Sequence, residues 1–262
     1  MFNKNRLAFW PAYFCKIKTM DIRVHSYESL GTFDGPGLRL VVFLQGCNFR
    51  CLYCANPDTI DPKGESKVTD IEDIVRMAMN EKPFFGKRGG VTFSGGEPTF
   101  QAKALVPLVK RLHEQGIHVC LDTNGSIWNS DVEELLSIVD LVMLDVKQVN
   151  PERHKTLTER SNEQTLKTAK WLQDNGRPFW LRYVLVQGYS AFEEDIRTLG
   201  EHFKGYDMIK RIEVLPYHTL GAHKYEPLGM EYKLKGVKEN TPQQLDEAKA
   251  LFDEYFDCVF VN

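Results

Sequence analysis

Apolar runs rich in β-branched residues recur along the chain, with amphipathic stretches between them. The runs Arg39–Leu44, Gly90–Ser94, Ile117–Asp122, Asp140–Lys147, Trp180–Val186 and Arg211–Leu215 read as six strands, and Asp21–Ser26 is strand-like as well. Helices are predicted at Thr69–Asn80, Gln101–Gln115, Asp131–Val139, Asn162–Asn175, Ala191–Phe203 and Thr241–Tyr255. Thr69 and Glu72 have the spacing of a capping box, and Gly116, Gly176 and Gly205 stand near helix ends, where a C-cap favours glycine. Regular alternation of strand and helix predicts βα units and an α/β fold with a parallel sheet, either a partial barrel or an open doubly wound sheet. No repeat or long linker divides the chain, so a single domain over 20–262 is expected, preceded by an N-terminal extension at 1–19.

Composition narrows the function classes. The chain has 262 residues, 42% hydrophobic and 26% charged, which suits an ordinary soluble globular protein and excludes a disordered or collagen-like one. No apolar run approaches the ~18 residues needed to span a membrane. A net charge of −3 offers no global positive field for a phosphate backbone, which argues against nucleic acid as the main partner. Lys4 and Arg6 precede a short apolar stretch, but Pro11 interrupts it and Lys16 and Lys18 follow without a small-residue cleavage site, so it is not read as an export signal. A cytoplasmic location is expected.

Six cysteines are too few for a disulfide-built scaffold of this size, and three cluster at Cys47, Cys51 and Cys54. This C-x3-C-x2-C triplet follows the first strong strand on a polar loop. Three thiolates so close in sequence suit one soft metal centre and leave a coordination position that the triplet does not fill. An iron–sulfur cube with one open iron fits that pattern; the alternative is a zinc site completed by remote Cys120 or a histidine, in a binding module without redox chemistry.

Further polar groups sit at successive strand ends, where parallel βα folds gather their chemistry. The second strand runs into Ser94-Gly-Gly-Glu97, whose glycines remove side-chain bulk where a ligand would lie against the backbone and whose carboxylate accepts hydrogen bonds. Pro98 favours an extended Glu97. The third ends in Asp122-Thr-Asn-Gly125. Alternation along the fourth places Met143, Asp145 and Lys147 on one face, so a carboxylate and an ammonium there would either border an enclosed site or form a plain pair at a solvated strand end. Asp122 and Asp145 with Thr123 are hard oxygen donors of the kind that hold a small cation. Arg182 lies in the fifth strand and His218 follows the sixth. Asp34 stands in a Gly/Pro-rich loop, Gly31–Arg39, that is open enough to admit another backbone.

Taken in order, Asp34-Gly-Pro-Gly-Leu-Arg39, the cysteine loop with Asn56-Pro-Asp-Thr59, Ser94-Gly-Gly-Glu97, Leu121–Gly125, Leu141–Gln148 and Leu215-Pro-Tyr-His218 resemble the pyruvate formate-lyase activases of the radical S-adenosylmethionine (SAM) superfamily. The resemblance runs from Asp21 to the C-terminus; Ala55 stands where the family commonly has His. It implies a partial (β/α)6 barrel with parallel strands. It also implies a 4Fe-4S cluster on Cys47, Cys51 and Cys54 whose fourth iron chelates SAM, and reductive SAM cleavage to methionine and a 5′-deoxyadenosyl radical that abstracts hydrogen from a glycine of pyruvate formate-lyase or another glycyl-radical enzyme. SAM-binding residues implied are Tyr53, Ala55, Gly95, Gly96, Glu97, Asp145, Val146, Lys147, Arg182 and His218, with Glu97 facing the amino group. Asp122, Thr123, Met143 and Asp145 are implied as a monovalent-cation site, Asp34 as a partner contact, and flavodoxin or ferredoxin as the electron donor.

Overall fold

The computed structural model of the chain describes residues 21–261, and the extension expected at 1–19 lies outside the described residues. In chain order the strands are β1 (Asp21–Gly31), β2 (Arg39–Leu44), β3 (Lys67–Asp70), β4 (Gly90–Gly95), β5 (His118–Thr123), β6 (Leu141–Asp145), β7 (Phe179–Leu185), β8 (Ile209–Pro216) and β9 (Val259–Val261). The helices are α1 (Ile71–Phe85), α2 (Ala102–Glu114), α3 (Ser130–Ile138), α4 (Pro151–Thr158), α5 (Glu163–Asp174), α6 (Glu193–Phe203) and α7 (Pro242–Asp253). Among the described residues the nine strands join one sheet in the order β3-β1-β2-β4-β5-β6-β7-β8-β9. From β2 to β9 every pairing is parallel, as the six expected βα strands require, whereas β1 pairs antiparallel with both β2 and β3. The sheet is therefore mixed rather than purely parallel, a partial barrel with an antiparallel margin.

Alternation along the parallel strands sorts side chains into two layers. Leu40, Val42, Val91, Phe93, Val119, Leu121, Val142, Leu144 and Leu181 face outward into the main core, where the helices cover them. Each such side chain contributes roughly 1.5–3 kcal/mol relative to remaining exposed. The residues between them, Thr92, Ser94, Cys120, Asp122, Met143, Asp145, Trp180 and Arg182, occupy the concave side. There Cys120, Leu141, Met143 and Trp180 form a separate small apolar cluster, and the charged positions lie nearer the strand ends.

One expectation needs correction. Thr69 does not cap α1: it is in β3, paired with Ile22 of β1, and Asp70 supplies the cap by accepting from the Glu72 amide at 2.8 Å. A β-branched residue in an antiparallel pair outcompetes its own capping role one position away. The capping box sits instead at Thr241 and Gln244 of α7. The short elements β3, α4 and β9 extend the fold beyond the predicted set. α4 matters for the site, because amides of the cysteine loop bond to its last carbonyls.

Candidate active site at the ends of the parallel strands

The concave face opens, at the C-terminal ends of its strands, into a cavity of about 450 Å³. Cys47, Cys51 and Cys54 all line it, and all three are free thiols. Their loop is pinned from two sides: Gly46 and Cys47 donate backbone N–H bonds to Thr59 and Ile60 at 2.7 and 3.0 Å, while Arg50 and Leu52 donate to Thr158 and Leu157 of α4 at 2.9 and 3.0 Å. The Tyr225 hydroxyl donates to the Cys54 carbonyl at 3.0 Å.

The chemistry of these donors fits an iron–sulfur cluster. Burial pushes the Cys47 thiol up to about 12, with the nearby Glu97 charge adding to it, and burial also raises Cys51 and Cys54. Against this, the positive charge of Lys147 favours all three thiolates, and backbone hydrogen bonds from Phe49 and Asn56 reach the sulfurs of Cys47 and Cys54. A bound cationic centre takes the place of the three protons and is met by amides already aimed at sulfur. Among the described residues no group of three or more His, Cys, Asp or Glu converges tightly enough to hold a single metal ion. Cys120, the remote fourth ligand of the zinc alternative, is buried among Leu141, Met143 and Trp180 and does not border the cavity.

Gly95, Gly96 and Glu97 border the cavity, yet the structure shows why glycine is needed there in terms of the chain itself. Gly95 has φ +109°, and a Cβ on it would sit 2.3 Å from the Leu44 amide nitrogen; one on Gly96 would sit 2.3 Å from the Gly46 carbonyl oxygen. The strand end is thus pressed against the entry to the cysteine loop, where the Glu97 amide donates to Gly46 at 2.7 Å. Glu97 is fully buried and extended, as Pro98 predicts. Its carboxylate accepts from the Thr99 amide and hydroxyl, the Thr123 hydroxyl and the Asn124 amide at 2.6–3.0 Å. Three of these bonds fall on Oε1 and one on Oε2. Burial still holds its acidity below that of an ordinary carboxyl. Glu97 therefore braces β4 against β5 as well as facing the cavity.

Charges across the barrel interior form a connected set. Lys147 pairs with Asp145 at 2.6 Å and stands 5.6 Å from the Tyr53 ring centroid. The Arg182 guanidinium lies 3.0 Å from Asp122 and 3.4 Å from Glu213, and Glu213 also meets Arg211 at 3.3 Å. Ser94 donates to the second Asp122 oxygen at 2.7 Å. Burial disfavours the charges of Lys147 and Arg182, but their opposed neighbours outweigh it, and both are held protonated more firmly than usual. Asp34 and Glu28 stand at the cavity wall. Burial pushes the Asp34 carboxyl up to about 6, reinforced by Asp122 and opposed by Arg182.

Tyr53, Ala55, His218 and the other expected cavity residues are brought together here, with three exceptions. Val146 turns its side chain into the main core, Met143 lies below in the inner apolar cluster, and the Thr123 hydroxyl is committed to Glu97. Glu28 and Glu213 were not anticipated. An acid in the apolar run Arg211–Leu215 was the available signal for Glu213, since such a charge is costly without a partner.

A cavity at βα strand ends with three thiols on one wall and buried paired charges on another defines the radical SAM class, and the sequence profile of the Radical SAM superfamily matches residues 41–199. The chain is 44% identical over 236 residues to the pyruvate formate-lyase 1-activating enzyme of Escherichia coli (strain K12), covering 89% of this chain and 96% of that protein. It is 43% identical over 244 residues to the pyruvate formate-lyase-activating enzyme of Streptococcus mutans serotype c, covering 88% and 93%. The chain belongs to the pyruvate formate-lyase-activating enzyme family of the radical SAM superfamily. The fold agrees: a domain of pyruvate-formate lyase-activating enzyme from Bacteroides vulgatus superposes with a TM-score of 0.56 at 24% identity, covering 66% of this chain and 99% of that one. Streptococcus suis SuiB bound to S-adenosylmethionine superposes with a TM-score of 0.67 at 16% identity, covering 86% and 50%.

Proposed function

We infer that this protein activates pyruvate formate-lyase by installing a glycyl radical on it through reductive cleavage of SAM. The observation that carries the reading is the placement of Cys47, Cys51 and Cys54 on one wall of a cavity whose other walls hold Lys147, Asp145 and Arg182. When bound, a 4Fe-4S cluster held by these thiolates would supply the electron that breaks the S–C5′ bond of SAM, giving methionine and a 5′-deoxyadenosyl radical able to take a hydrogen atom from a partner glycine.

The chain's own residues bind and orient. The backbone around Gly95 and Gly96 with Glu97 receives the methionine part of SAM; Tyr53 and Ala55 line the cluster side. Asp145, Lys147 and His218 border the remainder, with Val146 contributing only its backbone and Arg182 fixing the carboxylates around it. Asp122, Thr123, Met143 and Asp145 form the proposed monovalent-cation site, where Met143 offers its carbonyl and the cation would share the two carboxylates with Arg182 and Lys147. Asp34 and its loop receive the partner's glycine segment. No side chain is asked to act as acid, base or nucleophile; the cavity orients the reactants and keeps water away.

Flavodoxin or ferredoxin is the proposed electron donor and the cytoplasm the proposed location. Among the described residues no helix is long and apolar enough to cross a membrane. The test is anaerobic incubation of the protein with SAM, reductant and pyruvate formate-lyase, read by electron paramagnetic resonance. A glycyl doublet on the partner is expected; SAM cleavage without that doublet, and with one on a different glycyl-radical enzyme, would reassign the partner.

A further inference from the structure

At the N-terminal ends of the parallel strands, opposite the cysteine loop, the sheet closes around one buried guanidinium. Arg39 opens β2, faces Gly90 of β4 and is fully buried. Its Nε donates to the Thr92 hydroxyl at 2.6 Å, Nη1 to the Pro36 and Arg88 carbonyls at 2.9 and 3.3 Å, and Nη2 to the Val91 and His118 carbonyls at 2.7 and 3.2 Å. Nη2 also lies 3.3 Å from Nδ1 of His118. A single side chain thus joins the Gly31–Arg39 loop to β4, to β5 and to the turn before β4.

Thr92 carries the link onward. While accepting from Arg39, its hydroxyl donates to the backbone carbonyl of Asp34 at 2.6 Å. The direction is forced, because a guanidinium can only donate and the hydroxyl has one proton to pass on. The Asp34 carbonyl is thereby fixed while Asp34 itself borders the active-site cavity; Arg39 and Thr92 are buried and do not border it. The loop is pressed against the barrel further along as well, since a Cβ on Gly37, φ +74°, would stand 2.6 Å from the Gly89 amide nitrogen. Phe33, immediately before the anchored carbonyl, is 68% exposed. The loop is therefore clamped from Asp34 to Arg39 and presents its Phe33 side to whatever approaches.

We propose that Arg39 and Thr92 are positioning residues for partner recognition: the guanidinium–hydroxyl–carbonyl relay holds Asp34 where the partner's glycine segment is received, and takes no part in holding SAM. The proposal rests on the reading of Asp34 and its loop as the place where that segment binds. Both residues act through Asp34. A loop already ordered before the partner arrives loses less conformational freedom on binding, so the relay lowers the partner concentration needed for activation.

The experiment compares Thr92→Val, Thr92→Ser and Asp34→Asn in the cluster-loaded protein. The readouts are KM and kcat for pyruvate formate-lyase, from accumulation of the glycyl doublet, and SAM cleavage without partner. Thr92→Val keeps the side-chain shape but removes the hydroxyl; its KM for pyruvate formate-lyase should rise about fivefold or more, the worth of a typical hydrogen bond. Its iron and sulfide content and its partner-free SAM cleavage should match wild type. Thr92→Ser restores the hydroxyl and should stay within about twofold of the wild-type KM. The relay would be overturned by a wild-type KM in Thr92→Val, by equal impairment of Thr92→Ser, or by iron content or partner-free cleavage falling as far as activation. If any of these occurs while Asp34→Asn still loses partner activation, the reading of Asp34 stands and the relay alone falls. Normal partner activation by Asp34→Asn would overturn that reading, and the relay with it.

Discussion

Arg182 on β7 and Asp122 on β5 are joined by a 3.0 Å ion pair although β6 lies between their strands. Both side chains point into the concave side, and strand spacing of ~4.8 Å leaves a gap that only a long side chain bridges. On its other flank the same guanidinium reaches Glu213 of β8. Arg182 therefore ties three strands around the cavity.

Replacing Arg182 by Met should leave the Asp122 carboxylate buried without its cation. Removing one partner of a buried pair typically costs about 3–5 kcal/mol, so chemical unfolding under anaerobic conditions should show a loss of that order. A loss below ~1 kcal/mol would mean that the pair does not brace the barrel.

Gly96→Ala should be more damaging than its size suggests. The added methyl meets the Gly46 carbonyl oxygen at 2.3 Å and the Thr59 carbonyl oxygen at 3.0 Å, both backbone atoms that cannot swing aside. Overpacking of this kind costs roughly 1–3 kcal/mol and here would also displace the start of the cysteine loop. Reduced iron incorporation together with reduced stability is expected; a variant with normal iron and stability would show that the contact relaxes freely.

Asp34 gives a pH dependence whose sign follows from its acidity. Its ordinary value of 3.8 is raised to about 6 by burial, with Asp122, Glu28 and Glu213 adding and Arg182 opposing. An acid that holds its proton more tightly when folded stabilises the fold most below its unfolded value, and this contribution is lost as the pH rises from 3.8 to about 6. Asp34→Asn should abolish that slope, so its stability advantage over wild type should grow across this window and level off above it. A difference between the two proteins that stays constant with pH would remove Asp34 as its source. In the partner assay the same variant should lose pyruvate formate-lyase activation while retaining SAM cleavage without partner; equal loss of both would place Asp34 in the SAM site.

Cys51→Ala removes one of the three thiols that line the active-site cavity. Most bound iron and all reductive SAM cleavage should disappear, as measured by metal and sulfide analysis and by methionine release. Full cleavage activity in that variant would contradict the ligand assignment.

Much of this was legible in the chain because β-strand alternation is simple. Apolar runs marked the six parallel strands, and the charged residues within them, such as Asp145 and Arg182, stood out against an apolar background. What escaped notice was short or dual-purpose. α4 is polar on most of its surface, and only Asn150 followed by Pro151, a cap with proline at the first helical position, announced it. β3 was hidden because Thr69 and Glu72 satisfied a capping pattern that the antiparallel pairing with β1 overrides. The glycines at 95 and 96 were read as space for a ligand, whereas the nearest atoms to them belong to the chain's own backbone, which no local pattern reveals. Glu97 is similar: two of its four hydrogen bonds come from the local Thr99, and the other two from Thr123 and Asn124 at the end of β5, which no local pattern reveals.

The central claim is that Cys47, Cys51 and Cys54 hold a cluster with one iron open to SAM. Electron paramagnetic resonance of the oxygen-free, reduced protein tests it directly, recorded before and after adding SAM. The account predicts that SAM changes the cluster signal, and that the change survives Cys120→Ala because Cys120 lies in a different cluster of the barrel interior. A signal that SAM leaves untouched, from a cluster whose fourth iron is already held by a protein side chain, would contradict it.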